Sequence, residues 1–320
     1  MALGEFDIIR RYFTDIGGPS TSLVLGVGDD CALFELAAGE QLAVTTDTLV
    51  AGVHFPHRAD PRLVARRALR VNLSDLAAMA AVPLGCQLAL TLIDADESWL
   101  AAFAAGLAGD AVRYGCPLSG GDTTRGALAV TFTLLGSVTA GEALRRDGAA
   151  EGDDIYVTGT LGDARAGLAL LDSKKEPDNE SKYLLDRYWL PSPRLDAARA
   201  LRSLASSAID ISDGLLQDLG HIAAASGGGA DVELEALPLS PQLRNFAGDE
   251  ATHWALTGGD DYELCFTAPP ARRVEVQQRL AALDVPVARI GAMGGAPGVR
   301  CRDRSGREVV EPGGGYDHFG

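Results

Sequence analysis

Leu25-Gly26-Val27-Gly28-Asp29-Asp30-Cys31-Ala32-Leu33 is an apolar run that passes through two glycines and two adjacent acids before turning apolar again. Adjacent carboxylates repel, so ionising both requires something nearby that offsets their charge. The theme recurs at Thr45-Thr46-Asp47-Thr48, Gly120-Gly121-Asp122-Thr123-Thr124, Asp210-Ile211-Ser212-Asp213-Gly214 and Gly258-Gly259-Asp260-Asp261. Five apolar runs thus end in Gly, Ser or Thr beside Asp, and the expectation is that these ends meet around metal ions. Each Asp alone serves equally well as a turn or N-cap residue; the repetition is what points to metal. Oxygen-only groups suit hard cations, and Mg²⁺ typically keeps waters and bridges phosphates.

The rest of the chain narrows the chemistry. Its 320 residues exceed the usual size of one domain, and 47% apolar with 22% charged residues is a globular composition. The formal charge of −16 is opposite to that of a nucleic-acid binder. An anionic substrate then binds only where metal ions or arginines reverse the local sign. The lysines are Lys174, Lys175 and Lys182, all in one polar stretch, so cationic duty at the Asp motifs falls to Arg or metal. The five cysteines have no CxxC spacing and lie in or beside apolar runs, which reads as reduced core thiols in a cytoplasmic protein. Glu5 and Asp7 fall where a signal peptide would be basic, so none is expected. The uncharged run from Leu76 to Ile93 is broken by Pro83, Gly85 and Gln87 and reads as helix end, turn and strand, not a membrane span.

Patterning places the motifs. Residues 3–16 read as an amphipathic helix, 23–27 and 42–46 as strands, and 53–57 as a loop. Asp60 and Pro61 open a helix to about Ala80, in which Asn72 and Asp75 share a face. Val71, Leu73, Leu76 and Met79 make that face too apolar for a solvated stripe, so Asp75 reads as a functional acid. A strand at 87–93 follows, then a helix at 98–114, a polar turn at 119–125 and a strand at 127–138. The second half alternates strands (155–158, 208–211, 231–234, 262–267, 287–291) with helices (to 171, 193–204, 215–225, 241–247, 271–283). Residues 172–182 read as a polar surface segment. The pattern is α+β in two lobes, divided in or just before residues 141–154.

Several chemistries are excluded. There is no Walker lysine motif, no Gly-x-Ser-x-Gly elbow and no His-Glu-x-x-His, and Gly26-Val27-Gly28 is too short for a dinucleotide fingerprint. Without a catalytic Lys, Ser-His or Cys-His set, what remains is positioning plus metal electrostatics, as in phosphoryl transfer.

With these residues in view the chain resembles the thiamine-monophosphate kinase family. That family is part of a two-lobed superfamily with aminoimidazole ribonucleotide synthetase, selenophosphate synthetase and a hydrogenase maturation protein. The resemblance runs through Gly4-Glu5-Phe6, Gly26–Ala32, Thr46–Val50, His54-Phe55, Val71–Asp75, Gly120–Gly126, Ile209–Gly214, Gly258–Glu263 and Gly315–Phe319. It implies two α/β lobes: an N-terminal ATP- and Mg-binding, dimerising lobe at 1–140, and a C-terminal lobe at 141–320 that completes the metal and substrate site. It implies ATP-dependent phosphorylation of thiamine monophosphate with several Mg²⁺ ions, in a cytoplasmic homodimer with no nucleic-acid or membrane partner. By motif match Asp30, Thr45, Thr46, Asp47, Asp75, Asp122, Asp210 and Asp213 are the metal ligands, Asp30 being favoured over Asp29. Gly121, Asp122, Arg146 and Ser212 contact ATP, and His54, Asp260 and Tyr316 contact thiamine monophosphate. Asp47, Asp122, Arg146 and Asp213 carry the catalysis. The family usually has Glu where this chain has Asp260, one methylene longer. The competing readings are another ATP-using synthetase of the superfamily, and a non-catalytic module that binds Mg²⁺ or a thiamine phosphate.

Overall fold

The computed structural model describes residues 5–28, 31–171 and 178–309. They divide into two compact units, one holding the residues up to 76 with 81–141, the other holding 77–80 and the residues from 142 on.

In the first unit, helix α1 (Glu5–Ile8) runs on into a wider turn at Ile9–Phe13. A small antiparallel hairpin joins β1 (Leu23–Leu25) and β2 (Leu33–Phe34). The main sheet contains β3 (Glu40–Val50), β4 (Val82–Leu92), β5 (Leu118–Arg125) and β6 (Ala129–Thr139), in the order β3-β6-β4-β5. Only β4 and β5 run parallel, as their connection through a helix requires. Helices α2 (Pro61–Ala78) and α3 (Glu97–Tyr114) supply Leu69, Leu73, Leu100, Phe103 and Leu107 to the core, and the sheet supplies Leu88, Leu90, Val130, Phe132 and Leu134. α3 starts where the Asp96 carboxylate accepts the N–H groups of Ser98 and Trp99, and ends at Gly115 with φ 61°. The other face of the sheet, with Leu42, Val44, Thr46, Thr48, Gln87 and Ala89, is exposed.

Three expectations change here. β3 runs through Thr45-Thr46-Asp47 and does not end there, so these side chains alternate between the two faces. Residues 118–125 form an edge strand, not a turn: pairing along the buried strand β4 outweighs the poor strand propensity of Gly-Gly-Asp. β4 itself begins at Val82 and absorbs Pro83 and Gly85 with a register shift between them.

The second unit carries a seven-stranded sheet. Its strands are β7 (Asp154–Thr158), β8 (Ser207–Asp210), β9 (Gly229–Glu233), β10 (Leu264–Ala268), β11 (Val287–Gly294), β12 (Gly298–Arg302) and β13 (Glu308–Val309). The order is β13-β12-β9-β11-β7-β10-β8. Its helices are α4 (Asp163–Leu171), α5 (Asn179–Trp189), α6 (Leu195–Leu201), α7 (Leu215–Ala225), α8 (Pro241–Ala247), α9 (Ala251–Thr257) and α10 (Arg273–Ala281). Ile155, Val157, Ile209, Leu219, Val232 and Ile290 form the core between them. α5 starts inside the stretch read as a polar surface segment. Asp178 caps it by accepting the Ser181 N–H, and Leu184, Tyr188 and Trp189 bury one face behind its polar first turn.

Of the cysteines, Cys86, Cys116, Cys265 and Cys301 are buried, whereas Cys31 is exposed and is not a core thiol; all five are free. No helix among the described residues is long and apolar enough to cross a membrane.

Candidate functional site

The period of β3 sorts the first acid cluster. Thr45 and Asp47 face α2 and are half-buried. The Thr45 hydroxyl donates to Asp75 Oδ2 at 2.5 Å, and the Asp47 backbone N–H donates to Asn72 Oδ1 at 3.0 Å. Asn72 is fully buried and its amide donates in turn to the Ala68 carbonyl at 2.9 Å. The shared helix face of Asn72 and Asp75 is thus the one that meets β3. Thr46 lies on the opposite face of the strand, its hydroxyl 2.9 Å from that of Thr133. Its side chain is therefore not part of the Thr45–Asp47–Asp75 group.

Asp122 also belongs to that outer face. It stands opposite Ala89 in the β4–β5 register and is exposed. A cavity of about 960 Å³ opens there, lined by Arg10, Phe13, Gly28, Gly120, Gly121 and Asp122 among others. Gly121 has φ 146°, and a Cβ on it would run into the Leu88 carbonyl. Only glycine lets the strand lie this close to β4. Within this unit Thr45, Asp47 and Asp75 thus lie on one face of the sheet, Thr46 and Asp122 on the other.

His54 sits in the loop after β3. Its Nδ1 accepts the Val50 backbone N–H at 3.0 Å. An accepting Nδ1 places the proton of the neutral ring on Nε2.

In the second unit, β8 ends at Asp210, which is 4% exposed, and the chain turns through Ser212-Asp213-Gly214 into α7. Asp218 lies in the first turn of that helix. Its Oδ2 accepts the backbone N–H groups of Ser212, Asp213 and Gly214 at 3.0, 3.1 and 3.2 Å. Burial, the largest influence, pushes its carboxyl up to about 7 against those three donors, and the neighbouring Asp213 charge adds to the rise. Sequence reasoning missed Asp218; the available signal was an acid at the fourth residue after a Gly that opens a helix.

The loop 258–263 packs against this turn. Asp260 N–H donates to the Ser212 carbonyl and Tyr262 N–H to the Ile211 carbonyl, both at 2.8 Å. A Cβ on Gly259 would run into the Ser212 carbonyl. Asp210, Ser212, Asp213 and Asp260 are therefore neighbours along two abutting segments. Beneath them lies an ionic network that was also missed. Glu263, fully buried, receives Arg194 through Nε at 2.6 Å and a terminal amine at 2.7 Å, Arg187 at 2.9 Å, and the Thr158 hydroxyl at 2.7 Å. Burial alone would raise its carboxyl, but the two arginines hold it below the usual range. Asp261 caps α4 by accepting the N–H groups of Gly162 and Ala164, and burial pushes it up to about 8.

Arg146 is exposed, on the segment beside β8: the Arg145 carbonyl accepts the Ala208 N–H, and the Arg146 carbonyl accepts the Ser226 hydroxyl. The two acids nearest to it in sequence are engaged elsewhere, Asp147 by Arg145 and Glu142 by Arg202. Asp30 and Tyr316 lie outside the described residues. Among the described residues no three of His, Cys, Asp and Glu form a metal cage.

Comparison with known proteins follows the same division. Residues 28–138 match the family model of the AIR synthase related protein, N-terminal domain, and residues 150–304 that of its C-terminal domain. The chain is 48% identical to thiamine-monophosphate kinase of Escherichia coli (strain K12) over 322 residues, covering 100% of this chain and 99% of that one. It is similar to the crystal structure of thiamine-monophosphate kinase from Stenotrophomonas maltophilia K279a, with a TM-score of 0.85 at 45% identity over 90% of this chain and 93% of that one. It is also similar to the structure of AaThiL complexed with AMPPCP and TMP, with a TM-score of 0.79 at 32% identity over 100% of this chain and 99% of that one.

Proposed function

The chain belongs to the thiamine-monophosphate kinase family, and from that premise we propose that it transfers the γ-phosphoryl group of ATP to thiamine monophosphate, giving thiamine diphosphate and ADP. The observation that carries this reading is the likeness over the whole chain to a protein solved with AMPPCP and TMP.

The donor set suits Mg²⁺. It is oxygen-only, and it pairs acids with a hydroxyl in place of a closed His or Cys cage. Mg²⁺ takes one or two carboxylates and completes its shell with waters and phosphate oxygens. Thr45, Asp47 and Asp75 would hold it in the first unit, with Asp122 at the cavity. Asp210 and Asp213 would hold it in the second, and Asp30 stays in the proposed set from its motif. Thr46, turned to the other face, would serve on the side of Asp122, its hydroxyl meeting that of Thr133 at the cavity. Bound Mg²⁺ would neutralise phosphate charge.

The chain's own residues do the rest. The glycine edge at 120–121 leaves room for a nucleotide in the cavity beside Asp122, and Ser212 and Arg146 serve the phosphates. Arg146 is the cation that offsets charge developing on the transferred group. His54, Asp260 and Tyr316 make the acceptor contacts. The acceptor phosphate is already ionised near neutrality, so direct in-line transfer needs no strong base and no phospho-enzyme.

The enzyme is proposed to work as a homodimer, a second copy covering the outward row of the edge strand β3 in the first unit's sheet. Leu42 and Val44 are 46% and 58% exposed there, on an eleven-residue edge strand.

A coupled assay for ADP with thiamine monophosphate tests the reaction. The expected result is Mg²⁺-dependent ADP release that falls by at least about 100-fold in Asp47→Asn and Asp213→Asn. Unchanged release in either variant, or isolation of a phosphorylated protein on the reaction path, overturns the mechanism.

A further inference from the structure

We propose that Tyr262 is a positioning residue of the acceptor site, its hydroxyl setting the orientation in which Asp260 meets thiamine monophosphate. This rests on the reading of Asp260 given above and extends it to a residue that contributes through its neighbour.

Asp260 and Tyr262 have φ of 71° and 49°, the left-handed region. Asp tolerates that region; for a bulky tyrosine it is an outlier. Such conformations persist only where the surroundings over-determine them, and they gather at ligand-binding segments.

The surroundings here do over-determine it. Residues alternate along the segment: Asp261 and Glu263 are fully buried, while Asp260 and Tyr262 face outward and are half-exposed. The buried pair does the anchoring. Asp261 holds the start of α4, and Glu263 is clamped by Arg187 and Arg194 against Gly159, where any side chain would run into its carboxylate. The two backbone hydrogen bonds to Ser212 and Ile211 fix the outward residues from the other side. These contacts hold the backbone of the segment without the Tyr262 hydroxyl. That hydroxyl donates to Asp260 Oδ1 at 3.3 Å, a long bond across the one intervening residue. With Asp in place of the longer Glu, the reach of the carboxylate depends on its rotamer, and the bond from the phenol is a contact that biases it.

The test is a double-mutant cycle read as KM for each substrate. Tyr262→Phe removes only the hydroxyl. It is expected to raise the KM for thiamine monophosphate about fivefold, with the KM for ATP changed by less than about twofold. Asp260→Asn is expected to raise the same KM, and the double variant is expected to be no worse than Asp260→Asn alone, since Tyr262 acts through Asp260. If Tyr262→Phe lowers the melting temperature, Tyr262→Asn, which tolerates the left-handed backbone, replaces it in the cycle. A Tyr262 variant that leaves the acceptor KM unchanged, raises both KM values together, or multiplies the Asp260→Asn effect overturns the proposal. If Asp260→Asn itself leaves the acceptor KM unchanged, the reading of Asp260 falls and this proposal with it. If Asp260→Asn raises it and Tyr262→Phe does not, only the positioning role falls.

Discussion

Asp218 Oδ2 accepts the backbone N–H of Asp213 at 3.1 Å, and the same oxygen takes the N–H groups on either side. One buried carboxylate thus shapes the turn that presents Ser212 and Asp213. The donors are the amides of the turn that leads into α7, the last of them that of the cap residue Gly214, so an acid four residues past the cap reaches back and holds the turn.

That carboxylate should make stability depend on pH. Burial raises it from 3.8 to about 7. The folded chain then holds this proton more tightly than the unfolded one, so its contribution to stability is full below about pH 4 and is lost as pH rises through about 7. Asp218→Asn keeps an acceptor oxygen and cannot ionise. Its melting temperature relative to the unmodified protein should rise between about pH 5 and about pH 8, in chelator so that divalent cations do not favour the carboxylate. Parallel melting curves for the two proteins would refute it.

The clamp on Glu263 should be costly to open. Arg194 is 18% exposed and binds a carboxylate that is 1% exposed. Arg194→Leu leaves that buried charge with less compensation and should cost about 3–5 kcal/mol in urea unfolding. Breaking the Arg10–Asp7 pair, whose side chains are 73% and 53% exposed, should cost under about 1 kcal/mol. Equal losses in the two variants would show that burial is not what gives the clamp its strength.

Much of the fold follows from local pattern. Proline and Asp mark the start of α2, and apolar runs mark strands of both sheets. The family follows from the ordered set of motifs. What failed was pattern that only tertiary pairing decides. Thr45 and Thr46 are identical in chemistry, and the strand period alone sends one to α2 and the other to Thr133. Residues 118–125 carry turn chemistry and become a strand because β4 offers its edge. Asp218 and Glu263 were invisible as site supports because their partners are backbone N–H groups and arginines up to 76 residues away.

The two glycines of the cavity edge should respond differently to an added methyl group. A Cβ on Gly120 meets nothing nearer than the Gln87 amide at 4.0 Å, whereas one on Gly121 runs into the Leu88 carbonyl of the paired strand. Gly121 also has φ 146°. Gly121→Ala should therefore destabilise by more than about 2 kcal/mol, and Gly120→Ala by less than about 1 kcal/mol. Thermal or urea unfolding decides; comparable losses would mean that β5 yields to the clash.

The proposed dimer is checked on the outer face of the first sheet. Val44 is 58% exposed on β3, and β3 is an edge strand whose outward row also carries Leu42, Thr46 and Thr48. If a second copy covers that row, a charge placed at its centre must be desolvated on association, whereas in the monomer it stays in water. Val44→Lys should therefore convert a dimer to a monomer in light scattering while leaving the far-UV circular dichroism unchanged. Val24→Lys, at 62% exposure on the separate hairpin, is the control and should remain dimeric. A monomeric unmodified protein, or a Val44→Lys variant that stays dimeric, would place the interface elsewhere or nowhere.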